Sequence, residues 1–357
     1  MCELQNGPAV HWGGLRMTLP LIGHVEAGHI LAHKEAEAVM EELLSGRVET
    51  ADIVRLLVAL NRRPVEAVEL AGFAQVMRRH ATRVFAEGQT RPANMVDTCG
   101  TGGDGSNTFN ISTAAAIVAA AAGARVAKHG NRAASSRSGS ADVLEALGVR
   151  IDLPFEQYGR AIREIGIGFL FAQAAHTATR HAAPARKQIG VRTVFNLLGP
   201  LTNPAGAQSQ VLGVFSEEVI DPVAAALAEL GVEHAFVVHG AGGMDEISLA
   251  GETMVAEVRG GALRRFTVTP EEFGVARAPL ESIRGGTAAE NAALIRRILE
   301  GEAGPARDIV VVNAAAALVA ADSAANFREA AGLASFVISS GAASDKLASL
   351  AKFKGGG

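Results

Sequence analysis

The feature that most restricts this chain is a change of texture at Arg91-Pro92. Before it, apolar residues recur with the helical period. "KEAEAVMEELLSG" puts Ala36, Val39, Met40, Leu43 and Leu44 on one face and stops at Gly46. "ETADIVRLLVALNRR" sets Ile53, Leu56, Leu57 and Leu60 in a stripe, and "VEAVELAGFAQVMRRHA" repeats the period. An all-α unit is expected there. After Pro92, β-like runs alternate with helical ones: "NMVDTC", an alanine helix, "RVAKHG", "ADVLEALG", "GFLFAQ", "QSQVLGVF", "DPVAAALAELG", "HAFVVHG" and "DIVVVNAAAALVAA". Such alternation predicts a mainly parallel sheet with crossover helices. Residues 176–204 break the pattern with helical stretches and Pro-rich turns, returning the chain to the helical unit. The expected organisation is a loose tail over 1–19, a small helical domain from 20–90 plus 176–204, a large α/β domain from 91–175 plus 205–352, and a flexible tail over 353–357. Met17 is an alternative start.

The 357 residues suffice for one large and one small domain. With 48% hydrophobic and 20% charged residues the chain reads as soluble and globular. No apolar run reaches the roughly 18 residues needed to span a bilayer. The first residues lack the basic flank and apolar core of a secretory signal. Cys2 and Cys99 predict a reducing compartment without a disulfide framework, and a cytoplasmic location. Cys99 reads as a small buried residue at a strand end rather than a nucleophile. A net charge of −4 offers no general attraction for nucleic acid or anionic membrane.

"VDTCGTGGDGSNTFNIST" contains G-x-G-x-x-G at Gly100, Gly102 and Gly105. A dinucleotide-binding turn needs an acid about 20 residues on. None appears before Asp142; the chain instead brings Arg125, Lys128, His129, Arg132 and Arg137. That chemistry suits a phosphorylated anion. Gly100, Gly102, Gly103 and Gly105 let backbone N–H groups approach oxygens. Asn110, Ser112 and Thr113 open a helix whose positive end favours anions. "KHGNRAASSRSGSAD" at 128–142 repeats the strand-end, Gly/Ser-loop, helix-start arrangement. Two such cradles imply two phosphate groups on one ligand. In "HGAGGMDEIS", Asp245 and Glu246 follow a glycine loop, where neighbouring carboxylates can converge on Mg²⁺ held also by substrate phosphates.

"GTGGDGSNTFNIST", "KHGNRAASSRSGSAD", "RKQIGVRTVFNLLGPLTNP", "MDEIS", "GGTAAENAALIRRILEG" and "DIVVVNAAAALVAA" together resemble the anthranilate phosphoribosyltransferases, over roughly residues 20–352. The resemblance implies the fold shared with pyrimidine nucleoside phosphorylases, and a homodimer paired through the helical domain. It implies transfer of phosphoribose from 5-phosphoribosyl 1-pyrophosphate (PRPP) to the amino group of anthranilate, in tryptophan biosynthesis. PRPP contacts carry over to Gly100, Gly103, Asp104, Thr108, Asn110, Ile111, Ser112 and Thr113. In the second loop they carry over to Lys128, His129, Gly130, Asn131, Arg132, Ala133, Ala134, Ser135, Ser136 and Ser140. Mg²⁺, two ions per monomer with PRPP bound, falls to Ser112, Asp245 and Glu246. Anthranilate falls near Gly100, Asn131, His129, His176, Arg186 and Pro200, with Arg186 on its carboxylate.

Departures from the family pattern lie in "FAQAAHTATRHAAPARK", where Ala175, Thr177 and Thr179 stand in place of His, Pro and Met, and in "NRRPVEAVELAG", which lacks a Gly-Glu-Thr turn. They leave open a different aromatic acceptor. The implied chemistry is loss of pyrophosphate through an oxocarbenium-like transition state. The neutral aniline nitrogen needs no strong base. His129 and His176 are candidates for late proton acceptance or for ring contact only. A nucleoside phosphorylase and a non-catalytic nucleic-acid-binding paralogue are the rival readings; the acidic pair, the intact loops and the negative charge oppose them.

Overall fold

The computed structural model describes residues 18–86, 88–133 and 137–355. The sequence expectations for residues 1–17, with Cys2 and Met17, lie outside them, as do those for Ala134, Ser135 and Ser136 and for residues 356–357.

The helical part comprises α1 (Thr18–Glu26), α2 (His33–Leu44), α3 (Thr50–Leu60) and α4 (Ala67–His80). The stripes read from the sequence are buried: Val39, Leu43, Ile53, Leu57, Leu70 and Phe73 are at most 1% exposed. Helix α1 begins at Thr18, so the expected loose tail to residue 19 is two residues too long. The junction without a Gly-Glu-Thr turn is closed by an ion pair. Glu69 is fully buried, meets Arg63 at 2.5 Å and accepts the Leu31 N–H at 3.1 Å.

The α/β part runs β1 (Met95–Gly100), α5 (Ile111–Ala121), β2 (Arg125–Gly130), α6 (Ser140–Ala146), α7 (Phe155–Glu164), β3 (Ile167–Phe171), then α8 (Ala172–Ala175), α9 (Ala183–Ile189) and α10 (Val194–Leu198). It continues with β4 (Ser209–Gly213), α11 (Ile220–Glu229), β5 (His234–Gly240), β6 (Thr253–Arg259), β7 (Ala262–Val268), α12 (Pro270–Phe273), α13 (Ala288–Leu299), α14 (Pro305–Ala320), α15 (Phe327–Ser339) and α16 (Ala342–Lys352). The sheet order is β3-β2-β1-β4-β5-β6-β7. β1 to β5 are parallel; β6 and β7 add an antiparallel edge that the sequence reading did not resolve. The chain leaves β1 towards β2 on one side and reaches β4 on the other. Ligands of open α/β sheets bind at such a reversal, beyond the carboxyl ends of the strands.

Side-chain alternation sorts the two faces. Val96 and Val126 join α5 and α14 in one core, while Met95 and Ala127 join α7 in another. The interior of α1–α4, with Ala182, Ala185 and Val194–Leu198, is continuous with Leu212, Val237, Val258 and α11 on the back of the sheet. "DIVVVNAAAALVAA", counted among the alternating runs, contains no strand: Asp308 to Ala320 lie in α14 and Ala321 caps it, with Ile309–Ala320 all buried. A helix enclosed all round loses its amphipathic signature, and three valines then mimic a strand. At the far end, Phe353 packs against the α7 core, so the expected flexible tail is anchored at its first residue.

Candidate active site

Four parallel strands end in glycine: Gly100, Gly130, Gly213 and Gly240. Gly130 makes room for Ser140 and Phe169, whereas for the other three the reason is the loop 241–248, which folds back across the strand ends. A Cβ on Gly213 would lie 1.5 Å from the Asp245 carbonyl oxygen, one on Gly100 2.3 Å from Asp245 Oδ2, and one on Gly240 2.3 Å from the Glu246 carbonyl oxygen. Gly100 and Gly213 are register partners at the sheet reversal, so Asp245 is seated on the switch point itself.

The acidic pair is tied to both parts of the first cradle. Asp245 Oδ2 accepts the Gly102 N–H at 2.7 Å, and Glu246 Oε1 accepts the Ser112 N–H in the first turn of α5 at 3.1 Å. Asp104 Oδ2 receives the Asp245 N–H at 3.4 Å. Burial, followed by the charge of Asp104, pushes Asp245 up to about 7. Burial, followed by the charge of Asp245, pushes Glu246 up to about 8. A pair held this far above the carboxylate range is a site that a divalent cation would relieve. No group of three or more His, Cys, Asp or Glu side chains placed for a metal occurs among the described residues. Two carboxylates fit Mg²⁺, which takes few protein ligands and completes its shell with water and phosphate.

Lys128 lies beneath the loops. Its Nζ donates to the Thr98 carbonyl at 2.5 Å and to Ser112 Oγ at 3.3 Å. Burial lowers its pKa, opposed by the charges of Asp97, Cys99 and Glu246. The expected cluster of basic residues is not one cluster. Arg125 starts β2 and donates to the Ile162 and Arg163 carbonyls at the opposite end of the strand. Arg132 pairs with Asp142 and Glu145 and covers the Phe171 ring, and Arg137 approaches Glu290. A strand of six residues separates what sequence proximity grouped.

The glycine loop needs its left-handed positions: φ is 67° at Gly102, 75° at Gly103 and 77° at Gly105. Asn110, the N-cap residue of α5, joins three segments: its Nδ2 donates to the Ser138 carbonyl at 3.1 Å, and its Oδ1 accepts from Asn291 at 3.0 Å. Ile111 and Thr113 point into the core, leaving only their backbone for a ligand. Thr108 bridges Arg284 and crowds Gly285, where a Cβ would lie 2.4 Å from the Thr108 carbonyl oxygen. In the second loop Asp142 accepts the N–H groups of Ala133 and Gly139 at 3.0 and 2.9 Å. The Ser140 hydroxyl accepts the Asn131 N–H and packs on Gly130. A half-open cleft of about 330 Å³ lies outside this loop, lined by Arg132, Tyr158 and Phe171 rather than by the glycines.

The third group faces the other side of the sheet. The rings of His129 and His176 meet edge to face at 5.2 Å. Burial holds His176 down to about 4 and His129 well below the usual histidine range, so both are neutral at neutral pH. His129 Nε2 is buried without a hydrogen-bond partner, and His176 Nε2 lies 3.4 Å from Thr202 Oγ1. Pro200 is buried and its carbonyl accepts from Gln210 at 2.7 Å. Arg186, on α9, lies over the Phe195 ring at 5.3 Å; burial lowers its pKa and no carboxylate among the described residues answers it.

Sequence reasoning missed several residues that hold this site. Asp97, fully buried and pushed up to about 6 by burial, accepts the His129 N–H at 3.0 Å and Asn203 Nδ2 at 2.8 Å. Asn203 also donates to the Ala127 carbonyl at 2.7 Å, fastening the segment after Pro200 under β1 and β2. Their signal was available: an acid within an apolar strand, and an Asn inside "GPLTNP".

A helical bundle beside a sheet whose reversal carries a glycine loop and a buried acidic pair has the two-part architecture of a glycosyltransferase. Residues 92–344 match the glycosyl transferase family α/β domain, and residues 19–81 match that family's helical bundle domain. The anthranilate phosphoribosyltransferase of Symbiobacterium thermophilum is 51% identical over 333 residues, covering 93% of this chain and 96% of the relative. That of Methanosarcina acetivorans is 52% identical, over 90% of this chain and 85% of the relative. The crystal structure of anthranilate phosphoribosyltransferase from Thermus thermophilus superposes with a TM-score of 0.87 at 49% identity, over 93% of this chain and 98% of that one. The Saccharomyces cerevisiae enzyme in complex with PRPP and Mg gives 0.85 at 28% identity, over 95% and 99%. The chain belongs to the anthranilate phosphoribosyltransferase family and is an enzyme, a pentosyl-transferring glycosyltransferase. No helix among the described residues is long and apolar enough to cross a membrane.

Proposed function

We propose that this chain transfers the 5-phosphoribosyl group of PRPP to the amino group of anthranilate. The products are N-(5-phosphoribosyl)anthranilate and pyrophosphate, in tryptophan biosynthesis. The observation that carries the site assignment is the seating of Asp245 and Glu246 on the N–H groups of Gly102 and Ser112, which brings a cation site against a phosphate cradle.

In this reading Asp245 and Glu246, with Ser112, hold Mg²⁺, two ions per monomer when PRPP is bound. The metal would supply charge neutralisation for the departing pyrophosphate. The loop from Gly100 to Thr108 and the start of α5 orient the donor through backbone N–H groups, each such donor worth about 3–4 kcal/mol of barrier. The second loop, from Lys128 to Ser140, takes the other phosphate. Lys128 contributes a fixed positive charge from below rather than a direct grip. The Arg186 guanidinium, desolvated and free of acids, takes the anthranilate carboxylate and turns the ortho amine towards the ribose. Neutral His129 and His176 wall the acceptor with Asn131 and Pro200. The titration of His129 and His176 supports contact or late proton acceptance and not strong general base catalysis. Cytoplasmic location, homodimers paired through the helical part, and the division into 20–90 with 176–204 against 91–175 with 205–352 complete the proposal.

The test follows loss of anthranilate fluorescence on adding PRPP and MgCl₂, omitting each component in turn. Arg186→Ala raises KM for anthranilate by about 10- to 100-fold, the worth of a charged hydrogen bond, with KM for PRPP within about twofold. Equal effects on both constants, or turnover of another aromatic amine in preference to anthranilate, would reject the acceptor assignment.

A further inference from the structure

Resting on that reading, we propose that Arg192 is a positioning residue, a latch that carries the state of the acceptor side to the donor loop. Arg192 follows α9 by three residues, and Arg186 lies on α9 itself. Its backbone is held from the helical part, where Asn61 Nδ2 donates to the Arg192 carbonyl at 2.7 Å. Its side chain crosses to the glycine loop. Nη1 donates to the Gly103 carbonyl at 2.5 Å, and its Cδ lies 3.2 Å from where a Gly103 Cβ would stand. The guanidinium plane rests 4.3 Å from the centre of the Phe215 ring. Phe215 in turn donates its N–H to Thr101 Oγ1 at 3.2 Å, and the Thr101 N–H donates to the Gly213 carbonyl at 2.9 Å.

The guanidinium is therefore held by a carbonyl and a ring rather than by a carboxylate, between the loop that carries the Gly102 N–H to Asp245 and the segment that follows β4. Fixing the Gly103 carbonyl fixes the whole planar peptide, so the Asp104 N–H points the opposite way. Gly103 has no side chain and sits at φ 75°. Without the latch that peptide is limited on its N-terminal side only by glycine dihedrals. An arginine suits the task because its planar fork stacks and donates at once, which a lysine cannot do. The chain path supplies the route of the coupling: ordering of Arg186 by a bound carboxylate steadies α9, the Gly190 turn and then Arg192.

Hydrogen exchange of residues 100–106 in the ligand-free protein tests this, with equilibrium binding of PRPP plus MgCl₂ and steady-state kinetics. Arg192→Ala speeds exchange in that loop and weakens PRPP binding, each by about tenfold, the worth of one charge-assisted hydrogen bond. The melting temperature stays near wild type, and anthranilate, which tightens PRPP binding to the wild type, no longer does so in Arg192→Ala, because coupling between two sites is reciprocal; an enhancement that persists in the variant overturns the latch. Arg192→Lys recovers less than half of the loss, and Phe215→Leu reproduces part of it. Unchanged exchange in the ligand-free Arg192→Ala protein overturns the latch, and so does faster exchange spread over the whole chain. A wild-type protein that neither binds PRPP nor consumes anthranilate overturns the underlying reading instead, and the exchange result still judges the latch.

Discussion

Glu246→Gln should make the metal-free protein more stable while removing its activity. Burial and the neighbouring Asp245 charge raise the Glu246 carboxyl from 4.5 to about 8 in the folded state. The folded protein thus retains a proton that the unfolded chain releases, and stability falls as pH rises between about 4.5 and about 8. At about 1.4 kcal/mol per unit, the cost at pH 7 has a ceiling of about 3 kcal/mol. The side chain keeps partial contact with solvent and shares its cost with Asp245, which brings the expected value to about 1–2 kcal/mol. Glutamine keeps an acceptor for the Ser112 N–H and removes the charge. Calorimetry in a chelating buffer at pH 8 should show a rise of about 1–3 °C, shrinking towards zero below pH 5. Adding MgCl₂ and PRPP should stabilise the wild type and leave the variant where it was. A variant no more stable at pH 8, or one whose advantage persists undiminished at pH 5, refutes the reasoning.

Gly100→Ala and Gly213→Ala should fail differently. The first drives a methyl group into the Asp245 carboxylate at 2.3 Å, a side chain that can turn away, so kcat/KM falls by about 100-fold at a cost of about 1–3 kcal/mol in stability. The second drives it into the Asp245 backbone at 1.5 Å, and the protein should be recovered poorly folded by circular dichroism and gel filtration. The pH profile of kcat/KM should show no step between about pH 5.5 and 8 that vanishes on His176→Asn, since burial keeps that ring neutral throughout the range. Asp97→Asn places an amide where both oxygens accept donors, from Asn203 and the His129 N–H, and should cost about 1–3 kcal/mol in urea unfolding.

What the sequence displayed and what it hid divide along physical lines. Helices α2 and α3 were legible because each buries one face and wets the other, and α4 through the spacing of its large apolar residues, although Glu69 to Ala74 are all buried. α14 misled because everything after its first turn, Ile309 to Ala320, is buried. The antiparallel pair β6–β7 escaped because the outer strand is exposed along most of its length, and "ALRRFTV" has no alternation to report. The glycine loops and the acidic pair announced themselves through residue types chosen for backbone geometry and charge. Their mutual dependence did not. Nothing local says that the terminal glycines of β1, β4 and β5 are all required by one loop lying across them. Nor does it say that Asn110 must satisfy Ser138 and Asn291 together. Arg125 and Lys128 sit three residues apart in sequence yet work at different ends of the sheet, because a strand spends each residue on length. The same rule that scattered the basic residues assembled the acidic site: parallel strands deliver every carboxyl end to one edge. A catalytic edge is therefore readable from strand ends more safely than from any cluster of charges along the chain.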